Sequence, residues 1–256
     1  MNWSILVMSC DRYAKHTFEL FHHCIEKYWK EHPKIYYCTE TIDNPYYETF
    51  KLDFPVNEWT KRLNGSLEQI DTDIVLVCPD DTFLRDYVNE SVIKKLCTYI
   101  DDKLIAINLE PPFDCTQVNE ILSIRNPNGK WLTSFMPQLW NRKKLMELLK
   151  DKNLNPREAE RLGKGTNYTY GIIATTNHDF NFGKKPNVYP YAITEGRWAK
   201  EIVEFAKKEN IEIDFNELGF FVRKGIWYAS SSLCYGKKRA KVYQRVGKLL
   251  FIYWCW

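Results

Sequence analysis

The sequence predicts an α/β domain in which a central, mostly parallel or mixed sheet is flanked by helices. Three observations lead there. Trp3 to Met8 (WSILVM) and Ile74 to Cys78 (IVLVC) are short continuous apolar runs, as in strands buried on both faces. Stretches between and after them repeat apolar residues at spacings of three and four, the helical period. The two patterns alternate along the chain, which is how crossover helices cover a parallel sheet.

Taken in order, Trp3 to Met8 is the first strand, ending abruptly in Ser-Cys-Asp. Tyr13 to Lys30 follows as a helix, with Phe18, Phe21, Ile25 and Trp29 on one face and Pro33 beyond its end. Lys34 to Cys38 is a second strand, and Thr49 to Phe54 a short third. Trp59 to Ile70 is a helix aligning Trp59, Leu63, Leu67 and Ile70, and Ile74 to Cys78 is the most strand-like run of the chain. Asp86 to Tyr99 reads as helix and Lys103 to Leu109 as strand, which completes the front half of an α/β nucleotide-binding domain. Pro111-Pro112, Pro127-Asn128-Gly129 and Pro137 then punctuate short apolar pieces. Asn141 to Leu149 is a helix that Asn141 can cap, and Pro156 to Leu162 a second short one. Tyr168 to Thr175 and Asn187 to Ala192 read as strands, and Trp198 to Lys208 as the last clear helix. The division expected is a domain over 1–215, with a nucleotide half over about 1–110 and an acceptor half over about 111–215, followed by a segment over 216–256.

A chain of 256 residues can bury a full core, and 27% charged residues with a mean hydropathy of −0.46 exclude a polytopic membrane protein, a collagen-like chain and an acidic disordered tail. The net charge of +3 gives no reason to expect nucleic acid as a partner. It is unevenly placed: residues 223–256 hold eight basic side chains and no acid, and the rest carry 28 basic against 33 acidic residues. A helix from about Lys237 would set Ala240, Val242, Val246, Leu249 and Leu250 against lysines and arginines, ahead of an aromatic end. Such segments lie in the interface of anionic membranes, and the alternative is a terminal apolar strap folded onto the domain. No N-terminal signal is expected, because Asp11 interrupts the first apolar run. Eight widely spaced cysteines without a Cys-x-x-Cys pair predict reduced, structural thiols in a cytoplasmic protein, peripheral at most on the inner face of the membrane.

The segment Cys78-Pro79-Asp80-Asp81-Thr82-Phe83-Leu84 puts two adjacent carboxylates past the C-terminal end of a core strand, where open α/β sheets bind ligands. Acids there repel one another unless a cation arrives, and Mg²⁺ or Mn²⁺ suits their oxygens. Pro-Asp-Asp is equally good turn chemistry. Ser9-Cys10-Asp11-Arg12-Tyr13 leaves the first strand at the same edge. Asp11 can accept from a base or ribose with Tyr13 against a ring, or can simply open the helix. Pro137-Gln138-Leu139-Trp140-Asn141 and Asn155 to Glu160 bracket a helix as loops that would bring Trp140 and Glu160 to one pocket. Trp140 would then stack on a sugar or wedge a core, and Glu160 would accept a proton or belong to a solvated face. In Thr194-Glu195-Gly196-Arg197-Trp198, Gly196 allows close backbone approach and Arg197 can pair with phosphate. His178 beside Asp179 has a secondary acid/base role open to it. A dinucleotide glycine fingerprint, a P-loop and a serine-nucleophile elbow are all missing.

This ordered series, from Ser9-Cys10-Asp11-x-Tyr13 through Asp80-Asp81 and Pro137 to Arg142 to Gly196-Arg197-Trp198, resembles the small bacterial glycosyltransferases of capsule, exopolysaccharide and lipopolysaccharide biosynthesis. The resemblance runs over roughly residues 3 to 205 and implies a GT-A-like nucleotide-sugar fold. It implies donor binding by Asp11, Tyr13, Asp80 and Arg197, and a Mn²⁺ or Mg²⁺ held by Asp80 and Asp81. It also implies Glu160 as base, Asp81 as a second catalytic residue, and an acceptor side at Gln138, Trp140 and Glu195. The implied partners are a nucleotide-sugar donor and a glycan or lipid-linked glycan acceptor. The chain departs from the pattern in having Pro-Asp-Asp-Thr rather than Asp-x-Asp, and Pro156-Arg157-Glu158-Ala159 before Glu160. A nucleotidyltransferase or phosphotransferase on a related fold, and a non-catalytic glycan-assembly protein, are the alternatives.

Overall fold

The computed structural model describes residues 2–174 and 192–221. The expected strand over 187–192 falls almost wholly outside the described residues, as do Tyr191, His178, Asp179 and the basic, aromatic segment over 222–256.

The described strands are β1 (Trp3–Met8), β2 (Ile35–Thr39), β3 (Glu48–Lys51), β4 (Ile74–Pro79), β5 (Leu104–Asn108), β6 (Cys115–Gln117), β7 (Leu122–Arg125), β8 (Gln138–Asn141), β9 (Thr169–Ile173), β10 (Ile193–Thr194) and β11 (Arg197–Trp198). The first nine form one mixed sheet in the order β3-β2-β1-β4-β8-β5-β9-β7-β6, and β10 and β11 make a separate hairpin. The helices are α1 (Asp11–Tyr28), α2 (Trp59–Glu68), α3 (Glu90–Cys97), α4 (Arg142–Leu149), α5 (Pro156–Ala159) and α6 (Glu201–Glu209). The expected α/β architecture, a central mixed sheet between helices, is the one adopted.

Alternation along the central strands explains why both faces are covered. Ile5 and Val7 of β1, with Ile74, Leu76 and Cys78 of β4, pack into one apolar layer under α1, α3 and α6. Leu6 and Met8, with Val75 and Val77, pack into the other under α2, α4 and the Ala159 end of α5. A strand buried on both sides needs apolar residues at every position, which is why these runs are continuous. The cysteines agree with this chemistry: all six described are free, and Cys24, Cys38, Cys78 and Cys97 are buried. No helix among the described residues is long and apolar enough to cross a membrane.

The largest difference from expectation is β8. The segment expected as a loop is a strand, inserted antiparallel between β4 and β5, with Trp140 opposite both Val75 and Ala106. Trp140 is 0% exposed. Its ring lies 6.3 Å from Phe135 and 6.4 Å from Tyr170. Gln138 is equally buried: its amide donates to the Leu132 carbonyl (3.1 Å) and accepts from the Ser134 N–H (2.7 Å). Both side chains hold the core together and neither lines an acceptor loop. Asn141 does cap α4, accepting from the Lys144 N–H at 3.2 Å. The β6–β7 hairpin is a second addition, and α6 starts at Glu201 because Arg197 and Trp198 belong to the β10–β11 hairpin.

Trp140→Ala is expected to cost about 3–5 kcal/mol of stability, the usual range for deleting a buried ring. Trp140→Phe is expected to cost less and to keep the fold. Denaturant titration of the two variants checks this, and a Trp140→Ala as stable as the wild type would contradict the packing described.

Candidate active site at the C-terminal edge of the sheet

Strands β1, β2, β4, β5 and β9 run the same way, so their C-terminal ends share one edge. Acids follow several of them: Asp11 after β1, Glu40 after β2, Asp80 and Asp81 at β4, and Glu110 after β5. Asp80 is 6% exposed, and its Oδ2 accepts from the Ser9 hydroxyl at 2.5 Å and the Thr17 hydroxyl at 2.6 Å. Asp81 accepts from the Ile193 N–H at 3.3 Å while its carbonyl takes the Ala192 N–H at 2.8 Å. Burial pushes the Asp80 carboxyl up to about 6 despite its two hydroxyl donors. Burial, followed by the neighbouring Asp80 charge, pushes Asp81 up to about 7. Desolvation disfavours each carboxylate, and two adjacent charges compound it.

Asp11 opens α1, and the protein itself engages its carboxylate. It accepts from the backbone N–H of Glu40 (3.0 Å) and of Thr41 (3.1 Å) and from the Thr41 hydroxyl (2.5 Å). The Asp11 N–H donates back to Glu40 Oε2 at 2.5 Å, and Glu40 also pairs with Arg62. Burial alone would push Asp11 up, but the hydrogen bonds from Thr41 and Ile42 outweigh it and hold it below the usual carboxylate range. Asp11 therefore ties the loop after β2 to the start of α1 and shapes the pocket wall.

The β10–β11 hairpin closes over this corner. Its turn is the pair Glu195-Gly196, both left-handed at φ 50° and 76°, the conformation that tight two-residue hairpins need. A Cβ on Gly196 would lie 2.9 Å from the Tyr13 hydroxyl and 3.2 Å from Arg12 Nη2, so glycine is required for space as well as for conformation. Glu195 is exposed at the hairpin tip. Beside it Arg197, Arg12 and Lys15 line an open cleft of about 530 Å³ with Asp11, Gly196, Glu217 and Leu218. Lys15 pairs with Glu217 at 2.5 Å. Asp11, Tyr13, Asp80, Asp81, Glu195 and Arg197 are thus gathered around one hairpin.

Glu160 lies elsewhere on the same edge. Within its helix Glu158 is the capping acid, accepting from the Asn155 N–H at 3.0 Å while Asn155 Oδ1 accepts from the Glu158 N–H at 3.1 Å. Glu160 is half-buried, and burial and then the Glu110 charge raise its carboxyl. Glu110 follows β5, which stands two positions from β4 in the sheet, or roughly 10 Å at ordinary strand spacing. The structure adds Arg12, Lys15, Glu40, Arg62 and Glu110 to the residues expected. Glu110 carries the same signal as Asp80, an acid directly behind an apolar strand.

No group of three or more His, Cys, Asp or Glu among the described residues is arranged to hold a metal alone. Mg²⁺, however, is usually held by one or two carboxylates with substrate phosphates completing the shell. Two adjacent, mutually repelling carboxylates, one buried and one half-buried, beside a cleft lined by Arg12, Lys15 and Arg197 fit that pattern.

No family model matches the chain, and no curated protein matches it. Solved structures of similar fold include residues 1–349 of TarS from S. aureus, at 15% identity over 66% of this chain and 60% of that one, with a TM-score of 0.42. A nucleotidyl transferase from Methanothermobacter thermautotroptrophicus is similar at 13% identity over 68% of this chain and 88% of that one, with a TM-score of 0.41. A CMP:2-keto-3-deoxy-manno-octonic acid synthetase complexed with CTP is similar at 12% identity over 67% and 89%, also at 0.41. The chain spans about 60% of the TarS fragment.

The raised Asp81 carboxyl has a consequence for stability. Below its unfolded value both states are protonated, and stability falls as pH rises towards the folded value of about 7. Asp81→Asn is therefore expected to raise the thermal midpoint at pH 8 and leave it nearly unchanged at pH 4. Equal midpoints for the two proteins at both pH values would contradict the burial described.

Proposed function

We propose that this chain is a glycosyltransferase that moves a sugar from a nucleoside-diphosphate sugar to a hydroxyl of a growing bacterial surface glycan. The observation that carries the reading is the adjacent Asp80-Asp81 pair at the end of a core strand, Asp80 buried and Asp81 half-buried, beside a cleft lined by Arg12, Lys15 and Arg197 that the β10–β11 hairpin also borders. Carboxylates and guanidiniums within one corner suit a diphosphate and its cation better than either suits a neutral ligand. The shared α/β fold is compatible with nucleotide-sugar chemistry, and the likeness to solved structures adds nothing about substrate.

In this reading Arg12, Lys15 and Arg197 bind the diphosphate, and Tyr13 with the Asp11-fixed loop forms the wall beside the nucleoside. Asp80 and Asp81 would hold Mg²⁺ or Mn²⁺, which when bound neutralises charge on the diphosphate oxygens. The acceptor oxygen bonds to the anomeric carbon as the bond to the diphosphate breaks, and the nucleoside diphosphate departs with that electron pair. Glu160 takes the acceptor proton if configuration inverts, and its raised affinity for protons suits a base. If configuration is retained, Glu160 orients the acceptor. A lipid-linked acceptor at the inner membrane face rests on the charge of the C-terminal segment alone.

Asp81→Ala is expected to abolish transfer and Asp80→Ala to lower it strongly, each with the fold retained. Incubation with a nucleotide-sugar panel, read by phosphorus NMR, distinguishes the classes. Release of nucleoside diphosphate from a sugar donor supports the proposal, and release of pyrophosphate from a nucleoside triphosphate replaces it with a nucleotidyltransferase. Glu160→Gln is expected to slow transfer by about 10²-fold or more while nucleotide affinity holds. Wild-type transfer by that variant would move the base to Glu110 or Glu195.

A further inference from the structure

Trp131 and Phe113 are two of the most exposed large apolar side chains described, at 55% and 38%. Their rings meet edge to face at 6.4 Å and 68°, forming an open corner between the chain entering β6 and the chain leaving β7. Exposed rings on a loose loop would mean little, but this corner is rigidly built. Arg125, only 3% exposed, donates from Nη2 to the Lys130 carbonyl at 2.7 Å and from Nη1 to the Trp131 carbonyl at 3.5 Å. Its guanidinium also lies 3.9 Å from the centre of the Phe113 ring, so one buried cation clamps both aromatic loops. The Asn126 N–H reaches the Asp114 carbonyl at 3.0 Å and ties the loops a second time. Trp131 itself has φ 54°, a conformation that a bulky residue adopts only when its surroundings impose it.

The chemistry beside the corner narrows the ligand. Glu110 lies three residues before Phe113, and its charge acts on both Arg125 and Glu160. Ring faces next to carboxylates match a pyranose, whose C–H face packs on an aromatic while its hydroxyls donate to acids. We propose that Trp131 and Phe113 form the platform for a pyranose ring of the acceptor glycan, with Glu110 and Glu160 accepting from its hydroxyls. That the ring belongs to an acceptor rests on the glycosyltransferase reading. That a saccharide binds here rests on the corner itself. A preformed platform lowers the ordering cost of binding, which suits a flexible, weakly held glycan.

The test uses the full chain labelled with 5-fluorotryptophan, the Trp131 resonance being assigned through Trp131→Phe. Uncharged disaccharide methyl glycosides are titrated into it, and UDP affinity is measured on the same samples by calorimetry. A saturable shift of the Trp131 resonance by at least one disaccharide is expected. Affinity should fall about ten-fold or more in Phe113→Ala and in Trp131→Gly. Glycine accepts the positive φ, so Trp131→Gly should keep or raise the thermal midpoint and removes only the ring. UDP affinity should be unchanged in both. A Trp131 resonance that no disaccharide moves overturns the platform, as does one moved only by anionic phospholipid vesicles or by raising protein concentration. Undiminished disaccharide affinity in Trp131→Gly overturns it as well. Disaccharide binding with no binding of UDP, GDP, ADP or dTDP, each titrated in the same way, overturns the donor-using reading and leaves the saccharide platform standing.

Discussion

Two carboxylates forced side by side into the end of a buried strand are the constraint around which the rest of the molecule is arranged. Asp80 and Asp81 follow β4, which is enclosed by β1 and β8 and packed on both faces. Burial raises both carboxyls, and part of the compensation comes from fixed dipoles: the hydroxyls of Ser9 and Thr17 for Asp80, the Ile193 N–H for Asp81. Arg62, whose charge favours the Asp80 carboxylate, is itself paired with Glu40. Neither carboxylate has a cationic side chain hydrogen-bonded to it among the described residues, the condition under which an arriving cation gains most.

From that corner the edge of the sheet divides by chemistry. On the β1 side the hairpin turn at Glu195-Gly196 presses against Tyr13 and Arg12, and cationic side chains line the cleft. On the β5 side the acids Glu110 and Glu160 stand close enough for one charge to raise the other, beside aromatic rings held by Arg125. In the reading proposed above, a sugar-nucleotide donor would place its phosphates on the β1 side and its sugar towards β5. The register of β1, β4, β8 and β5 sets that polarity, so the positioning of the chemistry is a property of the sheet and not of any one loop.

Much of the fold was legible because burial on two faces writes itself as continuous apolar runs, seen in β1, β4 and β5, and because α1 and α2 repeat with a clean helical period. β8 was illegible for a physical reason: four residues after a proline and before a helix cap carry no period, and Trp140 has the same letter whether it wedges a core or stacks on a ligand. The acids at Asp80-Asp81 were legible because they interrupt a core strand. Glu110 carries the same mark behind β5, but the Pro111-Pro112 that follows it reads as a chain break and masks it. The roles of Asp11 and Glu158 depend on which backbone N–H groups they meet, and for Asp11 those belong to a loop about thirty residues away that spacing does not reveal.

The most direct test is calorimetric binding of a nucleoside diphosphate to the full chain, with Mn²⁺ and with chelator, in the wild type and in Asp81→Asn. A site built as described binds the nucleotide tightly only with the cation, and Asp81→Asn removes most of that dependence while leaving the weaker binding by Arg12, Lys15 and Arg197. Nucleotide affinity that is the same in chelator as in Mn²⁺, or a cation dependence that survives intact in Asp81→Asn, would contradict the role given to the paired carboxylates.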